Sequence, residues 1–212
     1  MTPQSALLVV DVQHGFMPGG GLPVTDGDQI VPVINRIAPL FANVILTQDW
    51  HPANHVSFAA NHPGRQPYEM IDLPYGPQVL WPTHCVQGSH DAALADGLQV
   101  PHAQLVLRKG FNPQVDSYSA FVEGDRRTST GLEAYLRARN INTLYLCGLA
   151  TDFCVTWSAL DARAAWFETA VIEDACRGID LNGSLARAWK EMQAAGVKRV
   201  SSAQLLSGSA VF

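Results

Sequence analysis

A chain of 212 residues that is 47% hydrophobic and 16% charged can close a full core without disulfide or metal staples. A formal net charge of -5 with no Lys/Arg cluster argues against a nucleic-acid partner. The first apolar run, Ala6–Val10, is too short for a signal-peptide core and nothing approaches a membrane span, so no membrane partner and a cytoplasmic location are expected. In that compartment Cys85, Cys147, Cys154 and Cys176 are expected as free thiols, and composition leaves a homo-oligomer open.

Residues 6–12 (ALLVVDV) read as a strand with a carboxylate, Asp11, near its end. Residues 13–25, with Gly19-Gly20-Gly21 and two prolines, read as a mobile loop. The spacing of Ile30, Val33, Ile34 and Ile37 predicts a helix capped by Thr25 or Asp26. Residues 43–47 (NVILT) form a second strand ending at Gln48-Asp49. From about 49 to 100 runs a stretch rich in Pro, His, Gly and Asn with almost no periodicity, a length that points to a functional loop. Residues 104–107 (QLVL) lead to Arg108-Lys109-Gly110, and a second irregular stretch carries Asp116-Ser117-Tyr118-Ser119. Thr130-Gly131-Leu132-Glu133 matches a capping box opening a helix that stops near Asn140. A strand over 143–147 is followed by a helix with Val155, Ala159, Ala162 and Trp166 on its buried face. A strand over 169–172, a last helix from Asn182 to Gly196 and a short strand over 197–200 complete the order.

Strands alternating with helices predict a three-layer α/β/α fold with a mainly parallel, doubly wound sheet, in a single domain over 1–212. Such sheets bind ligands beyond the carboxyl ends of their strands, where Asp11, Asp49, Lys109 and the turn at Cys154 all fall. No G-x-G-x-x-G follows the first strand, so a dinucleotide site has no support.

The turn Gly148–Val155 takes an apolar strand straight into a helix, with Thr151 or Asp152 as its cap. Cys154 then lies among unpaired N–H groups at the positive end of a helix, which favours its thiolate. The arrangement resembles a nucleophile elbow with Cys in place of Ser; the alternative is a buried apolar thiol. Asp11 sits where a lone carboxylate must be paired or protonated, and Lys109 is its natural partner, with Arg108 as the other cation. Asp11 and Lys109 make either a structural ion pair or an acid–base couple beside Cys154. In Asp49-Trp50-His51, two ligand types share one side of an extended segment, and His55, Ser57, His62 and His84 follow. A carboxylate with two imidazoles suits a divalent metal that keeps open positions. Cys85, adjacent to His84, is read as packing.

Taken in order, Asp11 after LLVV, DWHP at 49–52, WPTHCVQG at 81–88, RKG at 108–110, DSYSAF at 116–121 and GLATDFCV at 148–155 resemble the nicotinamidases, a branch of the isochorismatase-like cysteine hydrolases. The resemblance implies hydrolysis of nicotinamide to nicotinate and ammonia in NAD salvage, with pyrazinamide as a second substrate. It implies a catalytic triad of Asp11, Lys109 and Cys154, and a metal bound by Asp49, His51 and His84. Zinc is the first expectation for that metal, ahead of iron or manganese; some relatives recruit a further ligand, here His55 or Ser57. It also implies a cis peptide at Leu149–Ala150. On this reading the N–H groups of Ala150 and Cys154 receive the oxyanion, and Phe16, Trp81 and Tyr118 wall the substrate ring. Hydrolases of carbamoyl or ureido amides and a non-catalytic metal-binding module are the rival readings.

Overall fold

A computed structural model describes residues 1–212. The strands are β1 (Ser5–Val10), β2 (Asn43–Asp49), β3 (Met70–Leu73), β4 (Gly76–Val79), β5 (Leu105–Lys109), β6 (Thr143–Leu149), β7 (Glu168–Arg177) and β8 (Lys198–Val200). The helices are α1 (Ile30–Ile37), α2 (Leu132–Ala138), α3 (Thr156–Ala164), α4 (Ser184–Ala194) and α5 (Ser202–Leu206). Six strands form one parallel sheet in the order β5-β2-β1-β6-β7-β8, and β3 pairs with β4 in a separate antiparallel hairpin. Every residue of β1 is buried, as the unbroken apolar run SALLVV requires of a strand covered on both faces. α1 and α5 pack together against β7, and α3 and α4 form a second pair that also reaches β7 and β8.

The chain winds outward from β1 through β2 to β5, then returns to lay β6 on the other side of β1. That reversal makes the carboxyl ends of β1, β2, β5 and β6 the rim of one crevice. Gly148 lets β6 close against β1 there: its φ is +119°, and a Cβ would lie 2.0 Å from the Val10 carbonyl oxygen. The Leu149–Ala150 peptide is cis, as the resemblance implied.

Local expectations fare less evenly. β2, β6 and β7 run past their predicted ends, because strand pairing continues through Asp49, Leu149 and Arg177. Neither Thr25 nor Asp26 caps α1; a 3-10 turn over Gly27–Gln29 intervenes, and Val31 is buried where Val33 is only half-buried. The capping box at Thr130 does not form, because the Thr130 hydroxyl donates to the Ala120 carbonyl at 2.6 Å and Gly131 takes the cap position. A capping box occurs instead at Ser201–Gln204, opening α5, a helix the sequence pattern did not predict. Neither Thr151 nor Asp152 caps the helix after β6; a π-helical turn, Thr151–Val155, follows Ala150 directly. Trp166 lies beyond the end of α3 and is 88% exposed, so it is not on the buried face. Asn182 sits inside a 3-10 turn, and Gly183 precedes α4. Asn140 and Gly196 follow α2 and α4 with positive φ, as helix stops do. The β3–β4 hairpin breaks up the stretch read as one long loop. No helix is long and apolar enough to cross a membrane.

Candidate active site

Asp11 follows β1 directly, Asp49 ends β2, Lys109 ends β5 and Cys154 lies in the turn after β6. Asp49 and Lys109 are register partners across β2 and β5, which places both side chains at the same level. Strand alternation turns Lys109 inward and sends Arg108 out, where its guanidinium lies 3.6 Å from the centre of the Trp50 ring. Lys109 Nζ is 2.9 Å from Asp11 Oδ2, donates to Asp49 Oδ1 and to the Ser117 carbonyl at 3.0 Å, and reaches Cys154 Sγ at 3.3 Å. Asp11 Oδ1 accepts from the Thr47 hydroxyl at 2.6 Å, while Oδ2 accepts no hydrogen bond. Carboxylate oxygens of Asp11 and Asp49 and the Cys154 sulfur all lie within 4.8 Å of one another.

All four groups are buried, and desolvation sets their protonation. Burial pushes the Asp11 carboxyl up, with Lys109 opposing and the Asp49 charge reinforcing it. Burial also works against the Asp49 charge, but Lys109 and His51 outweigh it and hold that carboxyl well below its usual range. Lys109 keeps its proton because Asp11 and Asp49 overcome the same desolvation. Burial pushes the Cys154 thiol well up, against the pull of Lys109. Burial thus opposes the thiolate that the helix end was expected to favour, while Lys109 supports it. The Asp11 carboxyl, ion-paired through Oδ2 to Lys109, is the titratable group beside the sulfur able to exchange a proton with it.

His51 and His84 converge on the other oxygen of Asp49: their Nε2 atoms lie 3.6 and 3.8 Å from Oδ2. His51 Nδ1 is 2.8 Å from the Gly110 carbonyl, and His84 Nδ1 is 2.8 Å from that of Pro82. A carbonyl only accepts, so both Nδ1 atoms carry the hydrogen and both Nε2 atoms present lone pairs. Gly110 is needed for this contact, since a Cβ there would lie 2.4 Å from the His51 ring. Two imidazole nitrogens and one carboxylate oxygen, aimed inward and held from behind, fit a divalent metal of the zinc, iron or manganese kind. His55 groups with His51 and Asp116 rather than with the whole trio. Its Nδ1 is 2.7 Å from the Ser57 hydroxyl, its Nε2 has no partner, and burial lowers its pKa to about 4. Neither His55 nor Ser57 is thus brought into the trio. His62 is outside it too, with Nε2 on the Val56 carbonyl, and Cys85 is sealed in the core with its backbone N–H on Asp91.

A narrow cleft lies between sulfur and trio, with Ala150, Phe16, Trp81 and Tyr118 in its walls. Trp81 Nε1 donates to the Tyr118 hydroxyl at 2.9 Å, which fixes both rings with their polar ends satisfied. A larger neighbouring cleft shares Tyr118 and Asp116 with it but is lined by neither Cys154 nor the trio.

Several residues of this site escaped the sequence reading. Leu22, Phe153, Ile179 and Asp116 also line the cavity. The Gln13 amide accepts from Asp49 N at 2.8 Å and donates to Asp49 O at 2.9 Å, clamping the metal-facing carboxylate by its backbone. Asp152 accepts from the N–H groups of Ile179 and Asp180 at 2.9 and 2.8 Å and from the Ser184 hydroxyl, tying the cavity wall to the turn that carries Cys154. Asp116, Asp152 and Phe153 fall inside the motifs DSYSAF and GLATDFCV, which gave them no role of this kind.

The isochorismatase domain family matches residues 5–204. The chain is 59% identical over 201 residues to a nicotinamidase of Acinetobacter baylyi, spanning 95% of this chain and 94% of that one. Its fold superposes on a solved nicotinamidase/pyrazinamidase of Acinetobacter baumanii with TM-score 0.96, at 61% identity over 97% and 99% of the two chains. A pyrazinamidase of Pyrococcus horikoshii solved in complex with zinc matches with TM-score 0.77, at 35% identity over 94% and 99%.

Proposed function

The chain belongs to the isochorismatase family and is an amidohydrolase that converts nicotinamide and water to nicotinate and ammonia; from that premise we propose that Cys154 is its nucleophile, Asp11 its acid–base group and Lys109 the cation that orders both. Asp11 takes the thiol proton as sulfur attacks the carboxamide carbon. The carbon–nitrogen bond then breaks, and Asp11 returns that proton to the departing ammonia. Asp11 next draws a proton from water, whose oxygen attacks the thioester and releases nicotinate, and the proton passes back to sulfur. Backbone N–H groups of Ala150 and Cys154 receive the developing oxyanion, and loss of one such donor typically costs about 3–4 kcal/mol of barrier. Phe16, Trp81 and Tyr118 hold the ring in place over the sulfur. Asp49, His51 and His84 would hold a divalent metal, which would supply Lewis-acid chemistry at the ring end of the substrate. Zinc is the metal we propose, from the nitrogen and oxygen donors and the zinc complex of the Pyrococcus horikoshii pyrazinamidase. Pyrazinamide, which keeps both the ring nitrogen and the carboxamide, is a second substrate. The same proposal takes residues 1–212 as one hydrolase domain working in the cytoplasm.

The observation that supports this most is the position of Lys109 Nζ, 2.9 Å from the Asp11 carboxylate and 3.3 Å from the Cys154 sulfur, which itself lines the same cleft as Asp49, His51 and His84. Ammonia release from nicotinamide, measured before and after a chelator, tests it. Activity that falls on chelation and returns with added zinc is expected; full activity in protein shown to be metal-free would refute the anchoring role.

A further inference from the structure

A second set of metal-ligating side chains lies outside this machinery. His14 opens the 3-10 turn that follows β1, and its Nε2 is 3.2 Å from Asp96 Oδ1. The His90 ring stacks on the His14 ring with centroids 4.0 Å apart. One ligand atom from each of His14, His90 and Asp96 lies within 4.8 Å of the others. Around a tetrahedral zinc with bonds near 2.0–2.1 Å, ligand atoms sit roughly 3.3 Å apart. The His14–Asp96 pair is already at that spacing. His90 and Asp96 are exposed, so closing the third side requires giving up the ring stack but no buried contact of these two side chains.

The backbone beneath the three side chains is preorganised. His14 N donates to the Ala93 carbonyl at 3.0 Å, Gly15 N to that of Asp91 at 2.8 Å, and Ala95 N to that of Val12 at 2.9 Å. Two imidazoles and a carboxylate favour zinc, copper or nickel over magnesium or calcium. We propose that His14, His90 and Asp96 form a second, solvent-facing site for a divalent transition metal, separate from the catalytic trio. A metal there pins the 13–16 turn to the 90–96 segment. That turn carries Gln13, which clamps Asp49, and Phe16, which walls the cavity, so the outer site fastens the frame of the inner one.

The test titrates protein already holding its catalytic metal with Zn²⁺ by calorimetry, and with Cu²⁺ followed by electron paramagnetic resonance. Wild type should take up one further equivalent. His90→Ala and His14→Ala should each weaken that equivalent by at least about 100-fold, since even outer partners of metal ligands change affinity roughly 10–100-fold. His90→Ala should keep its first equivalent and its ammonia release from nicotinamide. Asp49→Ala should show the reverse, losing the inner metal and keeping the outer one, so the two sites fail independently. A single equivalent in wild type, or a second one of unchanged affinity in both histidine variants, would overturn the proposal.

Discussion

The two halves of the catalytic crevice are built by different means. Asp11 follows β1, Lys109 ends β5 and Cys154 lies in the π-helical turn after β6, so one parallel sheet frames all three. His51, His55 and His84 stand on irregular chain, and their positions depend on single hydrogen bonds to carbonyls and hydroxyls. Asp49 belongs to both halves, giving one oxygen to Lys109 and the other to the histidines. On the proposed function, the groups that react take their positions from the sheet and the turn that continues it. The substrate anchor is an adjustable attachment, joined to them through one carboxylate.

That contrast can be broken most severely at the sulfur. Cys154→Ala should cut kcat by on the order of 10⁵-fold or more while leaving the thermal melt near wild type, because nothing charged is orphaned. Substantial residual turnover in a steady-state ammonia assay would remove Cys154 from the mechanism. Lys109→Ala should act on stability instead. It strands the Asp11 and Asp49 carboxylates in a dry interior, and urea unfolding should show a loss of roughly 3–5 kcal/mol. His51→Ala should leave the sheet half intact, with metal affinity lower by at least about 100-fold and KM raised more than kcat falls, read by elemental analysis and kinetics. A collapse of the fold in this variant would mean that the two halves are not separable. The smallest effect is expected from Asp152→Asn, which weakens charge-assisted bonds to Ile179, Asp180 and Ser184. It should cost about 1.5–3 kcal/mol in denaturant unfolding and raise KM through the Ile179 wall.

The same division decides what could be read from the sequence. Asp11, Asp49 and Lys109 were legible because an ionisable residue closing an apolar run has few places to go. Asp49 and His51 were legible as a pair because alternate residues share a face. His84 is joined to them by chain folding over more than thirty residues, and only the resemblance linked it. Gln13 and Asp116 carried no local signal, because their partners, Asp49 and Gln78, come from distant segments. The β3–β4 hairpin was missed because it buries little: Met70 is 63% exposed and no residue of β3 is fully buried. The helix caps failed for a related reason. A hydroxyl such as that of Thr130 serves whichever carbonyl the tertiary fold brings closest, and here that was Ala120. The desolvation that opposes the Cys154 charge had no sequence signal either, because burial is set by the fold and not by the position after a strand.

The account stands or falls on an acyl group passing through sulfur. Hydroxylamine added during nicotinamide turnover intercepts a thioester, so the account predicts nicotinohydroxamate whose share of product rises with hydroxylamine concentration in wild type and vanishes in Cys154→Ala. Nicotinate as the sole product at every hydroxylamine concentration, with ammonia release continuing, would contradict it.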